Sequence, residues 1–113
     1  MALPLNVFKT ITKVAETNPV GIYTAPVGYS SVILLAQVTN VGNNTQTVSF
    51  FHERTASGIA VTTEIVKNFP ISSSDTANLL SGKLVLETGD KIVLSSSSST
   101  DIKFIGSILE TLS

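Results

Sequence analysis

Apolar and polar residues alternate along most of this chain with a period of two, the spacing of a β-strand buried on one face. The clearest stretch runs from Asn78 to Leu94. Leu84 and Leu86 fall on one face, Ile92 and Leu94 repeat the pattern, and Gly89-Asp90 interrupts it between them. Glycine accepts positive φ and aspartate bonds its own backbone in turns, so the segment reads as strand, tight reversal, strand, with a second bend at Gly82. The remaining strands are expected to pack onto its apolar face.

The rest of the chain follows the same rule. Asn6 to Glu16 sets Phe8, Thr10, Thr12 and Val14 against Val7, Lys9, Ile11 and Lys13, and its β-branched residues favour a strand. Asn18-Pro19 and Gly21 end it. Ile22-Tyr23-Thr24 is a short strand closed by Ala25-Pro26-Val27-Gly28. Ser31 to Val41 is the most apolar run; its length and β-branching favour a strand over a helix, covered on both faces in its first half. A turn at Gly42-Asn43-Asn44 makes Thr45 to Arg54 its expected antiparallel partner. Beyond the Ala56-Ser57-Gly58 turn, Ile59 to Phe69 carries Ile59, Val61, Ile65 and Val66 as apolar anchors. Ser74 and Asp75 suit the cap of a short helical turn. Ser95 to Ser99 reads as an exposed loop, and Asp101 to Leu112 as the last strand. About eight strands, with turn signals roughly every 8–12 residues, predict an all-β antiparallel sandwich. Residues 1–113 are expected to form a single domain, with 1–16 an interface arm or edge strand.

Composition sharpens this picture. The 113 residues include no cysteine, which excludes disulfides and cysteine-bound metal. Seven basic and eight acidic residues give a net charge of −1 and are spread singly, so no nucleic-acid partner is expected. Charged residues make up 13% of the chain, about half the usual ~25%, which predicts a surface largely covered by other subunits. No run approaches the ~20 apolar residues of a membrane span, and the N-terminal residues lack the basic start and apolar run of a signal peptide. Neither membrane association nor secretion by the usual route is expected.

Candidate chemistry is sparse. His52-Glu53-Arg54 is the one cluster suited to acid–base work; on a strand, His52 and Arg54 share a face and Glu53 takes the other. A solitary histidine has no second imidazole for a metal, and no motif marks the partners of a nucleophilic triad. The cluster is therefore expected to pair with a neighbouring strand or subunit. Asp75, Asp90 and Asp101 sit at separate turns and lack the ligand ladder of a calcium loop. Gly82 and Gly89 are turn glycines, not a phosphate-cradling loop. No catalytic, cofactor-binding or metal-binding residue is assigned. Tyr23 and Tyr29 suit either a sugar-stacking platform or an interface rim, where aromatics are enriched. Val7, Phe8, Ile11, Tyr23, Tyr29, Phe51, His52 and Arg54 are the candidate contact residues.

The order of these signals carries a resemblance. Ile22-Tyr23-Thr24-Ala25-Pro26-Val27-Gly28 precedes a strand ending Val38-Thr39-Asn40. Val66-Lys67-Asn68-Phe69-Pro70-Ile71 follows, then the stretch from Asn78 to Asp90, then Ile108-Leu109-Glu110. From about Ile22 to Ser113 the chain resembles small virion structural proteins of tailed bacteriophages, including those of cyanophages. The resemblance implies a jelly-roll-like sandwich without enzymatic activity or cofactor, assembled in the host cytoplasm into the virion as a decoration, neck or tail accessory protein. Its implied partners are identical subunits, with a trimer favoured, and other capsid, neck or tail proteins. The alternative is a carbohydrate-binding receptor module on a tail fibre.

Overall fold

A computed structural model describes residues 6–112. Among them nine strands and no helix occur: β1 (Asn6–Val14), β2 (Val20–Thr24), β3 (Tyr29–Asn40), β4 (Gln46–Ala56), β5 (Ile59–Ile71), β6 (Thr76–Asn78), β7 (Leu84–Leu86), β8 (Lys91–Ser96) and β9 (Ile102–Leu112). They build two antiparallel sheets. One runs β1-β9-β3-β6, with β7 also on β3; the other runs β2-β8-β4-β5. β6 and β7 both pair with β3 and are parted by the bends around Leu79 to Lys83, so they act as one interrupted strand. Counted that way, four strands face four, and successive strands alternate between sheets except at the β4–β5 hairpin. This is a jelly roll, the double-sheet architecture of two Greek keys.

The core lies between the sheets. Ile33, Ala36 and Val38 of β3, Val48 and Phe50 of β4, Leu86, Ile92, Leu94, and Ile102, Phe104 and Ile108 of β9 are all buried. The rings of Phe50 and Phe104 stack across the gap, centroids 5.8 Å apart. Apart from Ile33, in a run that does not alternate, alternation put these residues on one face of their strands, and that face is the inner one.

Two predicted hairpins prove to be corners. β3 and β4 do not pair; they lie in different sheets. Asn40 turns the chain: its Nδ2 donates to the carbonyls of Asn44 and Ile71, at 2.8 and 2.9 Å, and its Oδ1 accepts from the Gly42 N–H. A buried amide that satisfies three backbone groups holds the chain across the sandwich rather than alongside itself. Likewise Gly89-Asp90 does not fold Leu84–Leu86 back onto Ile92–Leu94. Here the chain passes from the β3 sheet to the β4 sheet, stitched to the end of β2 by hydrogen bonds from Gly89 N to Ala25 O and from Ala25 N to Asp90 O.

Three smaller expectations also change. Ser74 sits in a turn at φ 63°, not in a helical turn. Ser95 and Ser96 finish β8, with Ser96 buried opposite Val48. Beyond them, Ser97 Oγ accepts from Thr47 N and donates to Gln46 Oε1. Finally, Ile59 and Val61 anchor nothing: they are 67% and 55% exposed. The β4–β5 hairpin runs past the end of the sandwich, and every residue from Arg54 to Glu64 is exposed.

Candidate assembly surfaces and polar clusters

His52 and Arg54 share a face of β4, as the two-residue period requires, and that face ends at the corner carrying Asp90. Arg54 bonds the Asp90 carboxylate through Nε to Oδ1 at 2.9 Å and through Nη2 to Oδ2 at 2.7 Å. His52 Nε2 lies 3.1 Å from Oδ2, and the Glu87 N–H donates to the same oxygen at 3.0 Å. Arg54 also reaches Glu87 at 2.7 Å. The Arg54 hydrogen bond is the main cause that holds the Asp90 carboxyl down at about 2, against the opposing effect of burial. Both Asp90 oxygens are bonded within the chain, so the cluster locks a corner. On the other face of β4, Glu53 pairs with Lys91 of β8 at 3.1 Å.

A second polar cluster bridges the sheets. Tyr23 of β2 donates its hydroxyl to Glu110 of β9 and lies 2.8 Å from Ser31 Oγ of β3. Lys9 of β1 reaches Glu110 at 3.1 Å. Desolvation, reinforced by the Glu110 hydrogen bond, raises the Tyr23 phenol above its ordinary range. The Tyr23 hydroxyl is thus turned inward, which leaves no exposed tyrosine pair built around it for stacking on a sugar. Among the described residues, no group of three His, Cys, Asp or Glu could hold a metal ion.

The surfaces are more telling than the clusters. On the outer face of the β1-β9-β3 sheet, Phe8 stands opposite Leu109, Leu109 opposite Val32, and Val32 opposite Val85. This places four apolar side chains in one straight row across four strands. Phe8 is 75% exposed and Val85 58%. Val14, Leu34 and Ile105 are also exposed apolar residues on that side, and among its described strand positions Lys103 alone is charged. The inward-facing side of β1 is different: there Lys9 and Lys13 pair with Glu110 and Glu16. Inward lysines on an edge strand discourage pairing with another strand.

The contact residues proposed from sequence therefore divide. Phe8 projects outward on the apolar row, while Val7 and Ile11 face the sandwich interior at its margin. Phe51 lies on the outer face of the other sheet opposite Val93, and Tyr29 begins β3. His52, Arg54 and Tyr23 are bonded within the chain. Sequence reasoning missed Asp90 as the acid between His52 and Arg54, although two donors on one strand face imply an acceptor. It also missed Glu110 and Ser31, whose partner Tyr23 lies on a distant strand.

No family model matches the chain, and no curated protein does. Solved structures share its fold. A chain of the T13 particle of infectious bursal disease virus superposes with a TM-score of 0.60 at 12% identity, over 96% of this chain and 31% of that one. A chain of the capsid of Helicobacter pylori bacteriophage KHP30 gives 0.57 at 13% identity, over 96% and 89%. A subunit of the disulfide-linked pili that form Bacillus endospore appendages gives 0.51 at 15%, over 96% and 88%. The chain thus spans about a third of the bursal disease virus chain and most of the other two. These likenesses establish the fold: an all-β jelly roll, shared with two viral capsid chains and a pilus subunit. The disulfide linkage named for the pili has no counterpart in a chain without cysteine.

Proposed function

We propose that this protein is a non-enzymatic structural subunit of a virus particle that assembles with copies of itself. The observation that carries the reading is the outer face of the β1-β9-β3 sheet, where Phe8, Leu109, Val32 and Val85 form an apolar row, exposed at Phe8 and Val85 and half-buried between, on a nearly uncharged surface. Such a face is an association surface, because monomers seldom leave contiguous apolar area in water. The jelly roll shared with two viral capsid chains supports a virion setting. The resemblance of residues 22–113 to small tailed-phage virion proteins narrows it to a decoration, neck or tail accessory. Closed rings of identical subunits are the expected arrangement, with a trimer favoured.

Sedimentation of the purified chain across a concentration series tests this reading. Self-association that Phe8→Lys weakens without unfolding the domain is the expected result. A wild-type chain that stays monomeric at high concentration overturns it. Immunogold labelling of virus particles with an antibody to this chain tests the virion location, and unlabelled particles overturn that part.

A further inference from the structure

We propose that the outer edge of β5, from Ile59 to Glu64, pairs antiparallel with the same stretch of a second copy about a two-fold axis at Val61. The inference deepens the assembly reading and rests on it. β5 ends the β2-β8-β4-β5 sheet, so one side of its backbone has no strand beside it. The two halves of this edge are built differently. From Ile65 to Ile71 it is blunted in several ways: register shifts against β4, Asn68 at φ 50°, Lys67, and Pro70, which has no N–H to offer. The Asn68 N–H is taken up by Ser49 Oγ at 2.9 Å. These are devices that keep edges from pairing.

From Ile59 to Glu64 there is no register shift, no positive φ, no lysine and no proline. The residues are Ile59, Ala60, Val61, Thr62, Thr63 and Glu64, paired with β4 in unbroken register and wholly exposed on their outer side. Their strand propensity is high, and Glu64 carries the one charge. The direction of the free groups follows from the turn. Ala56 and Ile59 flank the two-residue Ser57-Gly58 loop, whose φ values of 54° and 77° mark a type I′ hairpin. Ile59 and Val61 then bond inward to β4, which leaves the N–H and C=O of Ala60 and Thr62 pointing away.

The stretch is self-complementary in one register. With Val61 opposite its own counterpart, Ala60 and Thr62 exchange both backbone hydrogen bonds on each side of the axis. Ile59 faces Thr63, and Val61 meets Val61 in a non-bonded pair, where side chains approach most closely. Glu64 falls opposite Gly58, so the two carboxylates stay about 20 Å apart at ~3.3 Å per residue. Shifting the axis to lie between Val61 and Thr62 instead sets Ile59 against Glu64. Arg54, beside Val61 on β4, is held back by Asp90 and does not meet its counterpart.

Two kinds of variant test this in the full chain. Thr62→Pro removes an outward N–H while sparing the Ile59 and Val61 bonds to β4; circular dichroism checks its fold. Val61→Cys and Ile59→Cys place single thiols in a chain that has none. Expected are a weakening of self-association by tenfold or more with Thr62→Pro, and a disulfide-linked dimer from Val61→Cys under mild oxidation. Ile59→Cys is expected to stay unlinked, because its counterpart sits roughly 13 Å away at ~3.3 Å per residue, beyond disulfide reach. Equal cross-linking of both cysteine variants, or none from Val61→Cys, overturns the proposal, and these variants decide the matter if Thr62→Pro does not fold. An edge that serves an extended segment of a different protein would leave Val61→Cys unlinked to itself. Association lost with Phe8→Lys but unchanged by Thr62→Pro overturns this inference and leaves the assembly reading standing. A chain monomeric throughout overturns both.

Discussion

Arg54 grips Asp90 with two parallel hydrogen bonds, Nε to Oδ1 at 2.9 Å and Nη2 to Oδ2 at 2.7 Å, and thereby ties the base of a protruding hairpin to a corner of the sandwich. Planar guanidinium–carboxylate pairing fixes geometry as well as charge. The exposed β4–β5 hairpin therefore leaves the domain at a defined angle.

The pair makes stability depend on acid. The Asp90 carboxyl titrates at about 2 when folded, below its ordinary value of 3.8. A depressed folded value stabilises the protein above the unfolded pKa, and that stabilisation is lost as pH falls from about 4 towards about 2. Urea midpoints measured across this range should fall with pH. Asp90→Asn should start lower at neutral pH and show a flatter decline.

Tyr23 predicts the opposite limb. Burial and Glu110 raise its phenol above the ordinary range, so the folded state favours the protonated form. Its contribution is complete below about pH 10, the unfolded value, and is lost as pH rises beyond it. Tyr23→Phe should lower neutral stability by about 1–2 kcal/mol through the lost hydrogen bond to a buried carboxylate. It should also reduce the alkaline loss, read by fluorescence or circular dichroism between pH 9 and 12.

Asn40 predicts the strength of a corner. Asn40→Ala strands the Ile71 carbonyl and frees the Gly42 N–H, which should destabilise by about 2–3 kcal/mol in denaturant unfolding. Asn40→Asp should be worse, since a carboxylate cannot donate to either carbonyl.

The core predicts two further losses. Phe50→Ala removes a fully buried ring from its stack on Phe104 and should lower stability by about 3–5 kcal/mol. Gly106→Ala adds a methyl 3.0 Å from the Phe104 ring and 3.2 Å from the Leu35 carbonyl, and overpacking there should lower stability by about 1–3 kcal/mol.

Strand existence was legible because alternation is local: Phe50, Ile92, Leu94 and Phe104 are inward wherever the strand goes. Strand partnership was not. Gly42-Asn43-Asn44 has the chemistry of a hairpin turn, but the contact that sends the chain across the sandwich joins Asn40 to Ile71, thirty-one residues away. The fate of Ile59 and Val61 was hidden for a related reason: periodicity gives a face, not how far the strand outruns the layer beneath it. In the polar cluster, the shared face of His52 and Arg54 could be read directly. Asp90 could not be matched to them until β4 and β8 were in register. The serine run gave no apolar signal, so the end of β8 was read as loop.

The crossing pattern also governs how the molecule comes into being. The first strand is completed by the last, β1 on β9, and the second by the next to last, β2 on β8. Neither sheet can close until β8 and β9 have been made, and with such distant pairings folding is slow. Through that interval the bare flank of β5 stands open to other nascent copies. Synthesis rate and chaperone supply, as well as final stability, are therefore expected to affect the yield of folded chain.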